Sequence, residues 1–106
     1  LFPRTSLVIH HGGSGTTHSA ARAGVPSVVL PFAADQFFWA EQLRQRGIAP
    51  VAAPGPKVTT AILSRAIGGA QTAEMRERAS VIGATMRAEE GLAEAVKRVD
   101  ALLALK

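Results

Sequence analysis

A glycine-rich turn between two short apolar runs is the feature that most limits how this chain can fold. The run Leu7–Ile9 leads into the turn His10–Thr17, a helical segment follows, and a second apolar run, Ser27–Pro31, ends shortly before Asp35. Strands that alternate with helices predict a parallel sheet with right-handed crossovers. In such sheets, ligands bind at the loops that follow the carboxyl ends of the strands. We therefore expect an α/β fold with a ligand site at this turn.

The turn itself carries Gly12, Gly13 and Gly15 in front of a predicted helix. Glycines let the backbone approach an anion closely, and a helix N-terminus offers free N–H groups and the positive end of its dipole. The spacing matches neither the dinucleotide fingerprint, which lacks its last glycine here, nor the Walker loop, which lacks its lysine. Taken alone, the turn is equally consistent with an anion site and with a tight connection in which Thr16 or Thr17 caps the helix.

Two adjacent histidines, His10 and His11, stand where the first predicted strand ends. An imidazole N–H at this edge of a sheet can donate to a phosphate oxygen. A zinc site is disfavoured because adjacent residues on a strand point to opposite faces. His18 is the only other histidine, and the chain has no cysteine to complete a ligand set. The pair therefore favours an anion over a metal ion.

The composition limits the remaining classes of function. The chain has 106 residues, about one small domain, and its 47% hydrophobic and 19% charged residues are typical of a globular protein. Its net charge of +4 mildly favours an anionic ligand. No apolar run approaches the roughly 20 residues of a transmembrane helix, and no signal-peptide pattern stands at the N-terminus. On these grounds we expect a cytoplasmic protein.

The basic residues do not form a predicted nucleic-acid surface. They lie on separate predicted helices among acidic residues, and Glu74 with Arg78 has the i, i+4 spacing of a solvated ion pair, as has Glu94 with Arg98. The chain has no tyrosine and no aromatic residues interleaved with its cations, so stacking on bases has little support. We expect no nucleic-acid partner.

Periodicity and turn residues predict three strands and about five helices. The strands are predicted at Ser6–His10, Ser27–Leu30 and Ala49–Ala52. The first three helices are predicted at Thr16–Ala23, at Gln36–Arg46, and from a cap at Thr59 or Thr60 to a break at Gly68–Gly69. The last two helices are predicted to bury the stripes Met75, Ala79, Ile82 and Met86, then Leu92, Val96, Val99 and Leu103. Asp35 is expected to cap the helix that begins near Gln36.

Several of these motifs together resemble the donor-binding signature of the family 1 glycosyltransferases, the UDP-dependent GT-B enzymes that glycosylate lipophilic acceptors. The motifs are His10–Thr17, Ala23–Pro26, Pro31 and Asp35–Gln36. The segments Pro31–Phe32, Phe38–Trp39 and Gly47–Pro50 are most similar to the sterol 3-β-glucosyltransferase branch and its bacterial relatives. The resemblance covers nearly the whole chain and is most specific over Leu7–Pro50.

The resemblance implies which residues bind the donor. His11 would bind the diphosphate, and Asp35 and Gln36 would hydrogen-bond hydroxyls of the transferred sugar. Further backbone N–H and hydroxyl donors to the phosphates would come from Gly13, Ser14, Gly15, Thr16 and Thr17. Ser19 stands where many plant members carry a glutamate that holds the ribose, so this contact is not carried over. The resemblance implies a UDP-sugar or dTDP-sugar as donor substrate, with no metal ion and no cofactor.

The resemblance also implies that residues 1–106 form a partial C-terminal donor-binding domain, the second half of a Rossmann-like lobe. Three predicted strands are few for such a lobe, and the chain opens at Leu1 without an initiating methionine. The acceptor pocket and the general-base histidine would lie in an N-terminal lobe, so no catalytic residue is assigned here and the fragment alone is expected to be inactive. UDP-glucose is the favoured donor, and a lipophilic alcohol such as a sterol or a natural product is the favoured acceptor.

Other functions remain open from the sequence. The chain could be the donor-binding subunit of a bipartite glycosyltransferase, which predicts an exposed apolar face. It could also be a non-catalytic nucleotide-sugar binding module. A nucleotide-sugar epimerase of the same fold is a weaker alternative, because Asp35–Gln36 belongs to the transferase signature. Peripheral contact with a membrane is also left open.

Overall fold

A small parallel sheet lies between two layers of helices in the computed structural model, which describes residues 6–104. The elements are β1 (Val8–His10), α1 (Ser14–Ala23), β2 (Ser27–Val29), α2 (Asp35–Gln45), α3 (Thr60–Ala70) and α4 (Ala73–Ala104), with a short 3₁₀ turn at Gly55–Lys57 before α3. The strands pair in parallel, with Ile9 opposite Val28. The predicted α/β class and its alternation of strands and helices are confirmed. The ends of the expected domain, residues 1–5 and 105–106, lie outside the described residues.

The third predicted strand, Ala49–Ala52, does not form. One hydrogen bond joins this region to β2, from the N–H of Ser27 to the carbonyl of Ile48 (2.9 Å). Pro50 has no N–H, so a ladder cannot continue along the segment. The sheet therefore has two strands among the described residues.

Both helices that follow the strands begin earlier than predicted. Helix α1 begins at Ser14 with Gly13 as its N-cap, because the carbonyl of Gly13 already accepts the N–H of Thr17 (2.9 Å); the predicted cap at Thr16 or Thr17 is wrong. Helix α2 begins at Asp35, and Ala34 precedes it with a positive φ of 50°. Asp35 is therefore not the N-cap but the first helical residue, where its charge still favours the helix dipole.

The core lies on both faces of the sheet because neighbouring residues of a strand point in opposite directions. Val29 packs with α1, α2 and α4 in a cluster that includes Leu43, Ile48 and Ala79. Val28 packs with α3 in a second cluster, around Ala66 and Ala70. The sheet is thus packed on both faces.

Helix α3 begins as predicted, because the hydroxyl oxygen of Thr59 accepts the N–H of Ile62 (3.1 Å). The predicted break at Gly68–Gly69 is wrong, since the helix continues to Ala70. A Cβ on Gly69 would lie 3.2 Å from the Cβ of Pro50, so glycine allows the helix to pass this proline without displacing it. A glycine inside a helix costs about 1 kcal/mol, which close packing can offset.

One long helix, α4, replaces the two helices predicted at the end of the chain. Its first apolar stripe is confirmed: Met75 packs with the α3 cluster, and Ala79, Ile82 and Met86 pack with the other cluster. The second stripe is exposed, although burial was predicted. Its exposed fractions are Leu92 67%, Val96 51%, Val99 53% and Leu103 57%. The two stripes occupy successive lengths of the helix, and at 3.6 residues per turn they also lie about 100° apart around it, so packing of the first does not bury the second.

None of the helices found over residues 6–104 combines the length and the apolar content that crossing a membrane requires.

Candidate functional site

The loops after β1 and β2 meet at the carboxyl edge of the sheet. Gly12 is buried and has a φ of +96°, which favours glycine. A Cβ on Gly12 would lie 2.8 Å from the carbonyl oxygen of Gln36 and 3.1 Å from Cγ1 of Val29. The absence of a side chain at Gly12 therefore lets the glycine turn rest against the first turn of α2. The fold brings together the two motifs that the sequence separates.

His11 lies at the surface of this edge. Its Nδ1 accepts the N–H of Gly13 (3.1 Å), so the neutral ring carries its proton on Nε2. The side chain is exposed, which leaves the Nε2–H accessible from solvent. His11 can therefore donate a hydrogen bond to an anion, as predicted for a phosphate ligand.

His10 is more enclosed and has two partners. Its Nδ1 accepts the N–H of Gly12 (3.0 Å), and its Nε2 lies 3.0 Å from the hydroxyl oxygen of Ser27. Since Nδ1 is an acceptor, Nε2 carries the proton and donates to Ser27. Burial, and to a smaller extent the charge of His11, lowers the pKa of His10. The two adjacent histidines thus differ in role: both ring nitrogens of His10 are hydrogen-bonded within the fold, whereas His11 is exposed to solvent.

The N-terminus of α1 offers backbone donors beside His11. Thr17 makes the first bond within the helix, so the N–H groups of Ser14, Gly15 and Thr16 precede any intrahelical acceptor. Ser14 and Gly15 are exposed, and the first turn contains no acidic residue to offset the positive end of the dipole. A Cβ on Gly15 would meet nothing within 4 Å, so the space in front of this turn is open. The arrangement suits a bound anion.

Thr17 is placed differently from the other predicted phosphate ligands. It is 3% exposed, and its hydroxyl has no hydrogen-bond partner among the described residues. The residue lies one turn inside α1, away from the exposed donors. A direct contact between Thr17 and the phosphates stays a prediction.

Asp35 and Gln36 stand at the start of α2, on the other side of the glycine turn. The side-chain oxygen of Gln36 accepts the N–H groups of Phe32 (2.8 Å) and Ala33 (3.2 Å), which holds the loop after β2 in place. The NH₂ group of Gln36 is left to donate, while the exposed carboxylate of Asp35 can accept. An adjacent donor and acceptor of this kind suit the hydroxyl groups of a sugar.

Sequence reasoning missed two contributors to this edge. The conformation of Ala34, with φ 50° and ψ −129°, carries no sequence signal, because alanine rarely adopts a positive φ. The hydrogen bond from Gly12 to His10 had a weak sequence signal, because a histidine two residues before a glycine at a strand end can accept the N–H of that glycine. Over residues 6–104, no group of three or more metal-ligating His, Asp or Glu side chains is found.

Known proteins are similar to this chain over almost the full length of the chain. The family described as erythromycin biosynthesis protein CIII-like, C-terminal domain, matches residues 1–102. The chain is 35% identical over 96 residues to a sterol 3-beta-glucosyltransferase of Arabidopsis thaliana, covering 91% of this chain and 16% of the relative. It is 43% identical over 102 residues to the vancomycin aglycone glucosyltransferase of Amycolatopsis orientalis, covering 96% of this chain and 25% of the relative.

The fold has a counterpart among solved structures. The glycotransferase of kitacinnamycin superimposes with a TM-score of 0.76 at 29% identity, covering 94% of this chain and 26% of that chain. These matches confirm the resemblance to both the sterol branch and the bacterial branch, and the similarity to a GT-B protein. The chain spans about a quarter or less of the length of these relatives.

Proposed function

We propose that this chain, which belongs to the erythromycin biosynthesis protein CIII-like C-terminal domain family of glycosyltransferases, is the donor-binding part of an inverting, metal-independent GT-B enzyme. Residues 1–106 would then form a partial nucleotide-sugar binding domain. The observation that carries the proposal is the contact between Gly12 and the first turn of α2, where a Cβ would lie 2.8 Å from the carbonyl oxygen of Gln36. This contact brings the N-terminus of α1 and the polar pair Asp35–Gln36 to one edge of the sheet, which supports a site for both the phosphates and the sugar.

The diphosphate would bind between His11 and the start of α1. The Nε2–H of His11 and the N–H groups of Ser14, Gly15 and Thr16 donate to its oxygens, and the helix dipole adds a positive potential. An acceptor hydroxyl, deprotonated by a histidine outside this chain, attacks the anomeric carbon in line, and the nucleoside diphosphate leaves. Donors aimed at the charge that develops on the leaving group stabilise the transition state.

The transferred sugar would be held by the start of α2. The carboxylate of Asp35 accepts from one hydroxyl, and the free NH₂ of Gln36 donates to another, because its oxygen is engaged with Phe32 and Ala33. The donor substrate of this proposal is UDP-glucose, with a dTDP-sugar second. The acceptor is a lipophilic alcohol such as a sterol or a natural product, because the relatives include a sterol 3-beta-glucosyltransferase and a vancomycin aglycone glucosyltransferase.

Calorimetric titration with UDP and with UDP-glucose tests this proposal, in this chain and in the longest natural polypeptide that carries it. We expect saturable binding that His11→Ala weakens. His18→Ala is the matched control: its ring packs edge-on against Trp39 (5.0 Å between centroids), and its Nδ1 lies 2.7 Å from the carbonyl oxygen of Ser14, a group that points along α1 and away from the N–H groups proposed for the phosphates. Absence of binding at millimolar ligand in the longer polypeptide would refute the donor site.

The sugar contact has a separate test in Asp35→Asn. The variant keeps the size of the side chain but replaces an acceptor oxygen with a donor NH₂ group. We expect it to weaken UDP-glucose binding and to alter the choice among donor sugars, while UDP binding stays near the wild-type value. If both affinities fell equally, the assignment of Asp35 to the sugar would be wrong.

A second candidate function is the donor-binding subunit of a bipartite glycosyltransferase. The exposed stripe on α4 favours it, since Leu92 is 67% exposed and Leu103 57% exposed. A denaturing immunoblot of an extract from the cells that naturally make the protein, probed with an antibody against this chain, distinguishes the two functions. On a denaturing gel, a separate subunit migrates as a polypeptide that carries one lobe, whereas a single enzyme migrates as a polypeptide long enough for both lobes.

A further inference from the structure

The imidazole of His10 connects the second strand to the glycine turn. Its Nε2–H donates to the hydroxyl of Ser27, which begins β2 and is 2% exposed. Its Nδ1 accepts the N–H of Gly12 at 3.0 Å. Both ring nitrogens are therefore engaged within the fold, and neither is free to contact a ligand.

The residue that donates its N–H to His10, Gly12, is also the residue at which the loops after β1 and β2 contact each other. Gly12 is fixed from one side by Nδ1 of His10 and from the other by the backbone of Gln36, which a Cβ would approach to 2.8 Å. The next N–H, that of Gly13, donates to Nδ1 of His11. A displacement of the Gly12 peptide would therefore move both the His11 ring and the contact with the start of α2.

We infer that His10 is a positioning residue for the donor site: its Nδ1 fixes the Gly12 peptide, and through it the spacing between the phosphate-binding and sugar-binding loops. The inference rests on the proposed function, since the two loops are assigned to the donor there. His10 acts through Gly12 and His11 and does not touch the donor itself. The lowered pKa of His10, caused mainly by burial, is consistent with this role, because only the neutral ring has an Nδ1 acceptor.

Two substitutions separate the two bonds of the ring. In His10→Asn the side-chain oxygen occupies nearly the place of Nδ1 and can accept the N–H of Gly12. In His10→Gln the side-chain NH₂ group reaches nearly the place of Nε2 and can donate to Ser27, but no acceptor stands at the Nδ1 position. Each variant thus retains one of the two hydrogen bonds of the His10 ring, and both lose a similar amount of ring packing.

Titration of UDP-glucose into the full-length protein that carries this chain then tests the inference. We expect His10→Asn to bind within about twofold of wild type and His10→Gln to bind about tenfold more weakly, the effect of losing one well-formed hydrogen bond. Urea unfolding of both variants is measured alongside. A merely structural role predicts affinity losses that follow the stability losses, and that pattern, or equal binding by both variants, would overturn the inference.

A ligand-free measurement separates this inference from the proposed function. The ¹⁵N chemical shifts of the His10 ring report which nitrogen carries the proton, and we expect Nε2–H with a bare Nδ1. A proton on Nδ1 would overturn the inference even if UDP-glucose binds. Conversely, the expected tautomer together with no binding of UDP-glucose by the wild type would refute the donor site, and with it the role of His10 in positioning it.

Discussion

The carboxyl edge of the sheet and the second half of α4, residues 90–104, both have strong sequence patterns, yet over residues 6–104 only the first is packed against other parts of the fold. At the sheet edge, Gly12 rests against Gln36, and the histidine and glutamine side chains hold backbone N–H groups of their own loops. On the second half of α4, an apolar stripe with regular helical spacing remains at least half exposed. The comparison shows that a periodic pattern predicts a helix without specifying what that helix packs against.

The largest expected effect lies at the sheet edge. If the proposed function holds, His11→Ala in the full-length protein would remove a donor to the leaving diphosphate, and such a loss lowers turnover about a hundred- to a thousand-fold, or about 3–4 kcal/mol. Steady-state glycosyl transfer from UDP-glucose measures it, with His18→Ala as the control that keeps a near-normal rate. Turnover of the His11 variant close to wild type would remove this residue from the mechanism.

Truncating one leucine in each region sharpens the comparison. Leu43→Ala empties part of the packed core, where Leu43 is 4% exposed, and we expect a loss of about 2–5 kcal/mol in the free energy of unfolding. Leu92→Ala removes a side chain that is 67% exposed, and we expect a change within about 0.5 kcal/mol. Urea unfolding of this chain measures both.

The same pair, repeated in the longer polypeptide, tests whether the α4 stripe has a partner there. If residues outside this chain cover Leu92, the cost of Leu92→Ala rises toward that of Leu43→Ala. A large cost already present in this chain alone would contradict the exposure of the stripe.

A pair of glycine substitutions measures the contact between the two loops. Gly12→Ala places a Cβ 2.8 Å from the carbonyl oxygen of Gln36 at a φ of +96°, and strain of this kind costs about 1–3 kcal/mol. Gly15→Ala meets nothing within 4 Å and lies in a helix, so we expect a stability equal to or about 0.5–1 kcal/mol above wild type. Thermal unfolding distinguishes them, and equal behaviour of the two variants would mean that the loops do not meet at Gly12.

The smallest expected effect is a pH dependence centred on His10. Its pKa is lowered below the ordinary value of 6.5, mainly by burial and then by the charge of His11, so below that pH the unfolded chain binds a proton that the folded chain does not. The stability conferred by neutral His10 is fully present above pH 6.5 and declines as the pH falls toward the folded-state pKa. The stability difference between wild type and His10→Asn should shrink over this range in urea unfolding, and a constant difference would contradict the neutral, braced ring.

Much of the fold could be predicted because it depends on short-range patterns. The strands at Val8–His10 and Ser27–Val29, the Thr59 cap and the packed stripe from Met75 to Met86 follow from periodicity and turn residues close by in the chain. The errors arose where distant residues decide. Pro50 stops a third strand that otherwise has a suitable apolar pattern, and Gly69 stays helical where α3 passes the same proline.

The candidate site divides in the same way. The residue types at the edge, and their likeness to a nucleotide-sugar signature, could be recognised from the sequence. The proton positions on His10 and His11, the engaged oxygen of Gln36 and the burial of Thr17 could not, because each depends on a hydrogen-bond partner or neighbour set by the folded loops.

The sequence by itself determined the order of the elements, the polar groups available at the carboxyl edge and the family of the chain, since these are properties of local pattern and residue identity. The tertiary structure alone decided that Gly12 lies against Gln36 and that His10 is hydrogen-bonded within the fold while His11 is exposed. It also decided that the first apolar stripe of α4 is packed and the second is exposed. The physical reason is that packing and hydrogen-bond partners are chosen among residues far apart in the chain, and local periodicity carries no information about that choice.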